Sequence, residues 1–240
     1  MTRLPPAIFA ALAAAGCASG GGAVSTKDCP LRPPSNIVFW WDAPALEPGE
    51  SVTLTPYFTE RPGMMEPLPP TCITGASLSP PGLASLGRDR DGAMVVRIAD
   101  DTAPGRVSLE ATYADIGRVR AVIDVFDADA APLTGVWAQD AAACAAQGAE
   151  PVRELIFEGD GEFSVTWTPF ETYKDFWGRY TYDPESGALT LEPEGGNHVP
   201  SDIVPGVAEL SAGGRLRLLT ASLGTPRSGL QCTAPFDRIR

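Results

Sequence analysis

The 240-residue sequence contains a single histidine, His198, no Cys-x-x-Cys pair and no apolar run longer than nine residues. Each scarcity removes a class of function. Zinc and similar sites draw on several His, Cys or carboxylate ligands at set spacings, which one imidazole does not supply. A nine-residue run falls short of the roughly 20 apolar residues that cross a bilayer as a helix. Gly-x-Ser-x-Gly, Gly-x-Gly-x-x-Gly and P-loop patterns are absent, so neither a nucleophile elbow nor a nucleotide cradle is written in the chain. Positive charge is also short: 18 basic residues face 30 acidic ones, for a net charge of −12 and a pI near 4.5. Such a chain repels phosphate backbones, and nucleic acid is not an expected partner.

What is abundant is turn chemistry. Gly 25 and Pro 24 make long helices improbable, while 44% hydrophobic content is enough for a folded core. The composition predicts an all-β chain, which the strand spacing and turns described below divide into a β-sandwich followed by a small eight-stranded antiparallel up-and-down barrel.

The first segment reads as an address. Arg3 precedes the apolar run Ala7 to Ala15, which ends in Gly16-Cys17. That length suits a secretory signal region. Ala14-Ala15-Gly16-Cys17 resembles the lipobox of bacterial lipoproteins, with Ala14 where leucine is usual. The resemblance implies cleavage of residues 1–16, acyl chains on Cys17, and membrane attachment as the expected partner interaction. Ala18, rather than Asp, implies transfer to the outer membrane, facing the periplasm. Residues 17–35 begin with the small residues Ala18 to Thr26 and read as a flexible tether. The plainer alternative is an ordinary signal peptide cleaved nearby, with Cys17 incidental.

With Cys17 assigned to lipid, Cys29, Cys72, Cys144 and Cys232 remain. An even number in an exported chain implies disulfides. Two fall on each side of a small, acidic stretch, Asp127 to Pro132, which favours Cys29 with Cys72 and Cys144 with Cys232.

Residues 36–127 show short alternating runs, clearest at Ser51 to Thr55, Ala93 to Ile98, Arg106 to Tyr113 and Arg118 to Phe126. Apolar residues at every second position there predict strands with one buried face. Pro67 to Pro70 and Pro80-Pro81 should end strands or sit at edges, because proline donates no ladder hydrogen bond. Leu46 to Leu54 and Ala103 to Leu109 resemble segments of bacterial immunoglobulin-like domains, whose usual role is spacer or adhesive module.

Residues 133–240 hold hairpin signals at Gly159-Asp160-Gly161, Asp183 to Gly187 and Ala212 to Gly214. About eight strands in sequence can close a barrel. Leu133-Thr134-Gly135-Val136-Trp137 resembles the Gly-x-Trp opening of lipocalins and related calycins. The resemblance implies that Trp137 plugs the closed end and that an arginine after the last strand, Arg238 or Arg240, packs on it. If Cys144 and Cys232 were register partners at the seam, Trp137 would lie opposite Ile239.

No residue cluster identifies a reaction. His198 with Asp202 lacks a serine in a nucleophile motif; Ser222 follows Ala221 without the preceding glycine. Asp89-Arg90-Asp91-Gly92 covers part of a calcium-loop pattern but reads as a turn. Glu171, Asp175, Asp183 and Glu185 read as solvated loop charges rather than a glycosidase pair. The chain is expected to be non-enzymatic, without metal or cofactor. The densest feature is eight aromatics between Phe163 and Tyr182. They either fill the barrel or line a mouth, with Phe163, Trp167, Trp177, Tyr180, Tyr182 and Asn197 as a candidate pocket for a small apolar or amphipathic ligand. An envelope protein is the other expected partner. Competing readings are a periplasmic protease-inhibitor-like barrel, which would offer the stretch before Gly135 to a protease cleft, and a hydrolase with an unrecognised site.

Overall fold

The computed structural model describes residues 28–41, 43–61, 64–167, 174–227 and 229–240. The lipobox, Cys17 and the tether before Asp28 lie outside the described residues, as do Glu171 and the rest of 168–173. The described chain is nearly all β, a sandwich followed by a closed barrel.

The first part contains nine strands: β1 (Ile37–Trp40), β2 (Ser51–Thr53), β3 (Thr55–Arg61), β4 (Met64–Pro67), β5 (Ile73–Ser79), β6 (Ala84–Arg88), β7 (Met94–Ile98), β8 (Gly105–Tyr113) and β9 (Gly117–Val125). They form three antiparallel sheets, β1-β3-β4, β2-β7-β6 and β5-β8-β9. Alternation dictates how two of these stack. Met94, Val96 and Ile98 of β7 face Val107, Leu109 and Ala111 of β8 and Ile123 and Val125 of β9 in one buried cluster. A second cluster gathers Ile37, Leu68, Tyr113 and Val119 around the Cys29–Cys72 disulfide.

The run Ser51 to Thr55 is two strands rather than one. Leu54 is fully buried and donates its N–H to Met94 O at 2.9 Å, and at that point the chain leaves the β7 sheet for the β1 sheet. Proline behaves as its chemistry requires: Pro67 ends β4, an edge strand, and Pro80 follows the end of β5.

The acidic stretch after β9 is a hydrogen-bonded turn, with Ala131 N donating to Asp127 O at 2.8 Å and Asp129 N to Asp127 Oδ1 at 2.9 Å. The buried clusters fall on one side of it or the other.

Beyond it come β10 (Gly135–Gln139), α1 (Ala141–Ala145), β11 (Ala149–Glu150), β12 (Glu154–Phe157), β13 (Glu162–Thr166), β14 (Phe176–Asp183), β15 (Ala188–Gly196), β16 (Gly206–Leu210), β17 (Arg215–Leu218), β18 (Leu230–Gln231) and β19 (Phe236–Arg238). Eight of them close a barrel in the order β10-β12-β13-β14-β15-β16-β17-β19, while β11 and β18 pair in parallel beside it. The three glycine-bearing turns read from the sequence join β12 to β13, β14 to β15, and β16 to β17. Gly178 has no room for a side chain: a Cβ there would lie 2.0 Å from Glu192 O, at a bulge in the β14–β15 ladder.

First and last strands pair antiparallel, as expected, but one residue out of the expected register: Trp137 stands opposite Arg238, not Ile239. The reason is that neither cysteine belongs to the ladder. Cys144 lies in α1, capped by the Asp140 side chain, and Cys232 lies between β18 and β19. The disulfide ties that short helix to the segment entering β19. Gln139 reinforces the junction, its Nε2 donating to Cys232 O and Ala234 O while its Oε1 accepts the Val152 N–H at 2.9 Å.

Both disulfides have the expected connectivity, and Cys144–Cys232 closes 88 residues of chain. Loop-closure entropy gives about 4 to 5 kcal/mol for a loop of that size as an upper figure. We expect a Cys144→Ser/Cys232→Ser variant to lose about 2 to 4 kcal/mol of unfolding free energy in urea titration. An unchanged midpoint would contradict the stapling role.

Candidate functional site

The barrel has one end built as a plug. Trp137 is fully buried, its Nε1 donating to Leu133 O at 2.7 Å. Register partners share a face, so Arg238 lies against Trp137, with its guanidinium carbon 4.6 Å from the ring centroid. Arg238 also donates to Pro132 O at 2.6 Å. Arg240 does something else: it pairs with Glu154 at 2.9 Å, and its carbonyl accepts the Val136 N–H. Of the two arginines left open by the sequence, Arg238 therefore stacks on the tryptophan. Gly135 sits at φ +144°, where a Cβ would lie 2.9 Å from Arg240 O. The segment before it is packed rather than offered to solvent, with Leu133 and Thr134 buried.

This plugged end abuts the sandwich. Arg106 bridges Asp124 at 2.8 Å and Asp160 at 3.3 Å, and a Cβ on Gly159 would meet Phe126 at 2.9 Å. Glu158 lies in the same region. Burial pushes its carboxyl up to about 7, opposed by Lys174 and assisted by Asp160, Glu162 and Asp124. Tyr180 donates its hydroxyl to the Glu158 backbone carbonyl at 3.0 Å, and burial raises its phenol too.

The interior is filled. Phe163 and Phe176 meet edge to face with centroids 5.7 Å apart, Trp167 tilts against Phe176 at 5.7 Å, and Phe157 meets Tyr180 at 4.7 Å. Eight strands leave an interior just wide enough for side chains, and these rings occupy it with Leu155, Val165, Leu189 and Phe236. The six residues read from the sequence as a candidate pocket are divided between the inside and the outside of the wall. Phe163 and Trp167 are core. Trp177, next to inward-facing Phe176, is 43% exposed on the outside, where it covers Gly195. Tyr180 and Tyr182 pack half-buried against the core, and Asn197 is exposed, its Nδ2 donating to Lys174 O at 3.3 Å.

At the rim near Trp167, the sequence-level chemistry is spent on structure. His198 stands edge-on to Trp167 at 6.0 Å, its Nε2 3.1 Å from Thr225 O. Asp202 accepts the Thr225 N–H at 3.0 Å and its hydroxyl at 2.6 Å, which holds its carboxyl below the usual range. Ser222 donates to Gln231 at 3.1 Å. Asp175 is buried and accepts the Trp167 backbone N–H at 2.8 Å. The Trp167 indole N–H is buried without a hydrogen-bond partner among the described residues. Elsewhere, Asp89 Oδ1 accepts two amides of its own loop, those of Asp91 and Ala93, and Asp183 accepts from Glu185 N and the Ser186 hydroxyl. Among the described residues, no group of three or more His, Cys, Asp or Glu converges on a metal position.

The sequence did not show the opening in the barrel wall. β17 and β19 pair only at Arg215↔Asp237 and Leu216↔Phe236. Beyond Leu216 the strands diverge, leaving a cleft of about 420 Å³ floored by Val152, Leu223 and Phe236 and rimmed by Arg217, Gln231 and Thr233. Its one sequence mark is the stretch Ser222 to Thr233, which lacks alternation and carries Gly224, Pro226 and Gly229, so no long strand stands beside the end of β17. A wider hollow of about 660 Å³ lies on the β5-β8-β9 sheet, lined by serines and by Glu110 and Arg120. Glu110 there is already engaged by Arg118 at 2.7 Å and Arg120 at 3.1 Å.

Two outcomes follow for the plugged end. Arg238→Ala should cost about 1 to 2 kcal/mol through the lost ring contact together with the lost hydrogen bond to Pro132 O, whereas Arg240→Ala, breaking a partly exposed ion pair, should cost at most about 1 kcal/mol; equal losses in urea titration would contradict the assignment. The folded Glu158 carboxyl, raised to about 7, keeps its proton where the unfolded chain has released it. Stability should therefore fall as pH rises through about 5 to 7. Glu158→Gln should melt higher than the parent at pH 8 and alike at pH 4; a parallel melting profile across that range would contradict it. No known protein family, curated protein or solved structure matches the chain.

Proposed function

We propose that this chain is a lipid-anchored cell-envelope protein without a catalytic role, and that its C-terminal lipocalin-like barrel binds a small amphipathic ligand. The lipobox-like Ala14-Ala15-Gly16-Cys17 and two disulfides support an exported, membrane-attached chain, with Ala18 favouring the outer membrane. The immunoglobulin-like reading of the sandwich makes it the spacer between anchor and barrel.

One observation carries the binding role: a filled interior beside an open seam. Among the described residues the interior is occupied by aromatic rings, while the 420 Å³ cleft between β17 and β19 lies within the size range of small-molecule sites. Its apolar floor and its rim of Arg217, Gln231 and Thr233 suit a ligand with an apolar body and an anionic or hydrogen-bonding head. The inhibitor reading loses support because Leu133 and Thr134, directly before Gly135, are buried, and the Pro132 and Leu133 carbonyls are hydrogen-bonded. The hydrolase reading loses support because Ser222 and His198 are engaged with Gln231 and Thr225.

The test is titration with 8-anilinonaphthalene-1-sulfonate, an apolar fluorophore with an anionic head. We expect saturable binding that weakens at least tenfold in Leu219→Glu and in Thr233→Trp, both at exposed positions lining the cleft, and that survives in Trp177→Ala on the barrel's outside. Absence of saturable binding, or binding indifferent to the two cleft variants while their circular dichroism is native, would overturn the reading.

A further inference from the structure

In a chain with 30 acidic residues, one sheet face pairs only uncharged residues. Cross-strand partners share a face, and on the β1-β3-β4 sheet the rows are Val38↔Tyr57↔Pro67, Trp40↔Thr55 and Thr59↔Met65. None of these seven residues is ionisable at neutral pH. The opposite face carries Ile37, Phe39 and Phe58 toward the buried clusters. On the outward side Trp40 is 44% and Val38 37% exposed. Tryptophan and tyrosine beside aliphatic groups are the side chains that favour the boundary between water and lipid, with an apolar body and a polar handle.

The course of the chain says how near this sheet lies to the proposed anchor. The first described residues are fastened to this same sheet through its other face, the one that carries Phe58 and Glu66. Cys29 is bonded to Cys72 just beyond β4, Arg32 pairs with Glu66 of β4 at 2.8 Å, and Arg32 also lies 4.9 Å from the Phe58 ring of β3. Only ten residues, eleven Cα-to-Cα steps, separate Cys17 from Asp28, a span of about 38 Å if fully extended and about 18 Å as a flexible coil. We infer that the uncharged outward face of the β1-β3-β4 sheet rests on the lipid surface to which Cys17 tethers the chain. This inference rests on the lipid-anchor reading above. The net charge of −12 selects neutral headgroups over anionic ones, and a face without carboxylates reaches the headgroup layer without desolvating a charge.

The experiment uses the full protein made in cells that acylate it, bound to phosphatidylcholine vesicles whose acyl chains carry bromine, a contact quencher of tryptophan. Mass spectrometry of the same sample reports acylation. We expect wild-type emission to be quenched on vesicle binding, with the quenched component at least threefold smaller in Trp40→Phe. Val38→Glu should lower it similarly while the protein stays on the vesicles through its acyl chains. Acylated, vesicle-bound protein that shows no quenching, or the same quenching in Trp40→Phe, would overturn the contact and leave the anchor intact. A doubled mass in detergent that is lost in Val38→Glu, with no quenching on vesicles, would assign the face to a second copy and likewise overturn it. Protein lacking acyl chains would overturn the anchor and this inference together.

Discussion

The pairing of β10 with β19 is the constraint from which the second half of the molecule follows. Once Trp137 stands opposite Arg238, the sheet closes on itself, and closure by eight strands fixes an interior with room for side chains and little else. Phe157, Phe163, Phe176, Trp167 and Phe236 then fill that volume, and full burial of each such side chain is worth about 1.5 to 3 kcal/mol. The same pairing lays Arg238 over the plug and sets Arg240 beside Glu154. Gln139 and the Cys144–Cys232 bond hold the incoming segment of β19 in place. Where β19 ends its short ladder with β17, the wall opens, and that opening is the cleft.

The sequence made much of this legible because β structure writes itself with a two-residue period. Val107, Leu109, Ala111 and Tyr113 gave β8 its buried face, and the glycine-bearing turns gave the hairpins of the barrel. Disulfide connectivity followed from where the four cysteines fall around Asp127 to Pro132. What alternation does not encode is where a strand changes sheets, as at Leu54, or how two strands align when their nearest markers lie outside the ladder. The one-residue register error at the seam came from treating Cys144 and Cys232 as strand residues, although one sits in a capped helix and the other in a connection.

The placement of the aromatics was illegible for a related reason. Eight aromatics in a short stretch say that a large apolar surface is present but not how it is divided between inside and outside. Phe176 and Trp177 are neighbours in sequence and sit on opposite sides of the wall. The seam cleft was invisible because it arises from divergence of β17 and β19, a tertiary property whose only trace is irregular sequence between Ser222 and Thr233. In the sandwich, the charge-free face of β1-β3-β4 becomes apparent only when register brings Tyr57, Pro67 and Met65 alongside Val38 and Trp40.

Under the proposed function, anchor, spacer and barrel would divide the work: attachment at Cys17, lipid contact on the β1-β3-β4 sheet, and recognition at the barrel seam. The claim that recognition has moved from the interior to the wall is tested most directly by diffraction from crystals pressurised with xenon, which enters apolar cavities and reports their positions. We expect xenon between β17 and β19, against Phe236 and Leu223, and none among Phe157, Phe163 and Phe176. Xenon held inside the ring of strands, with the seam empty, would contradict it.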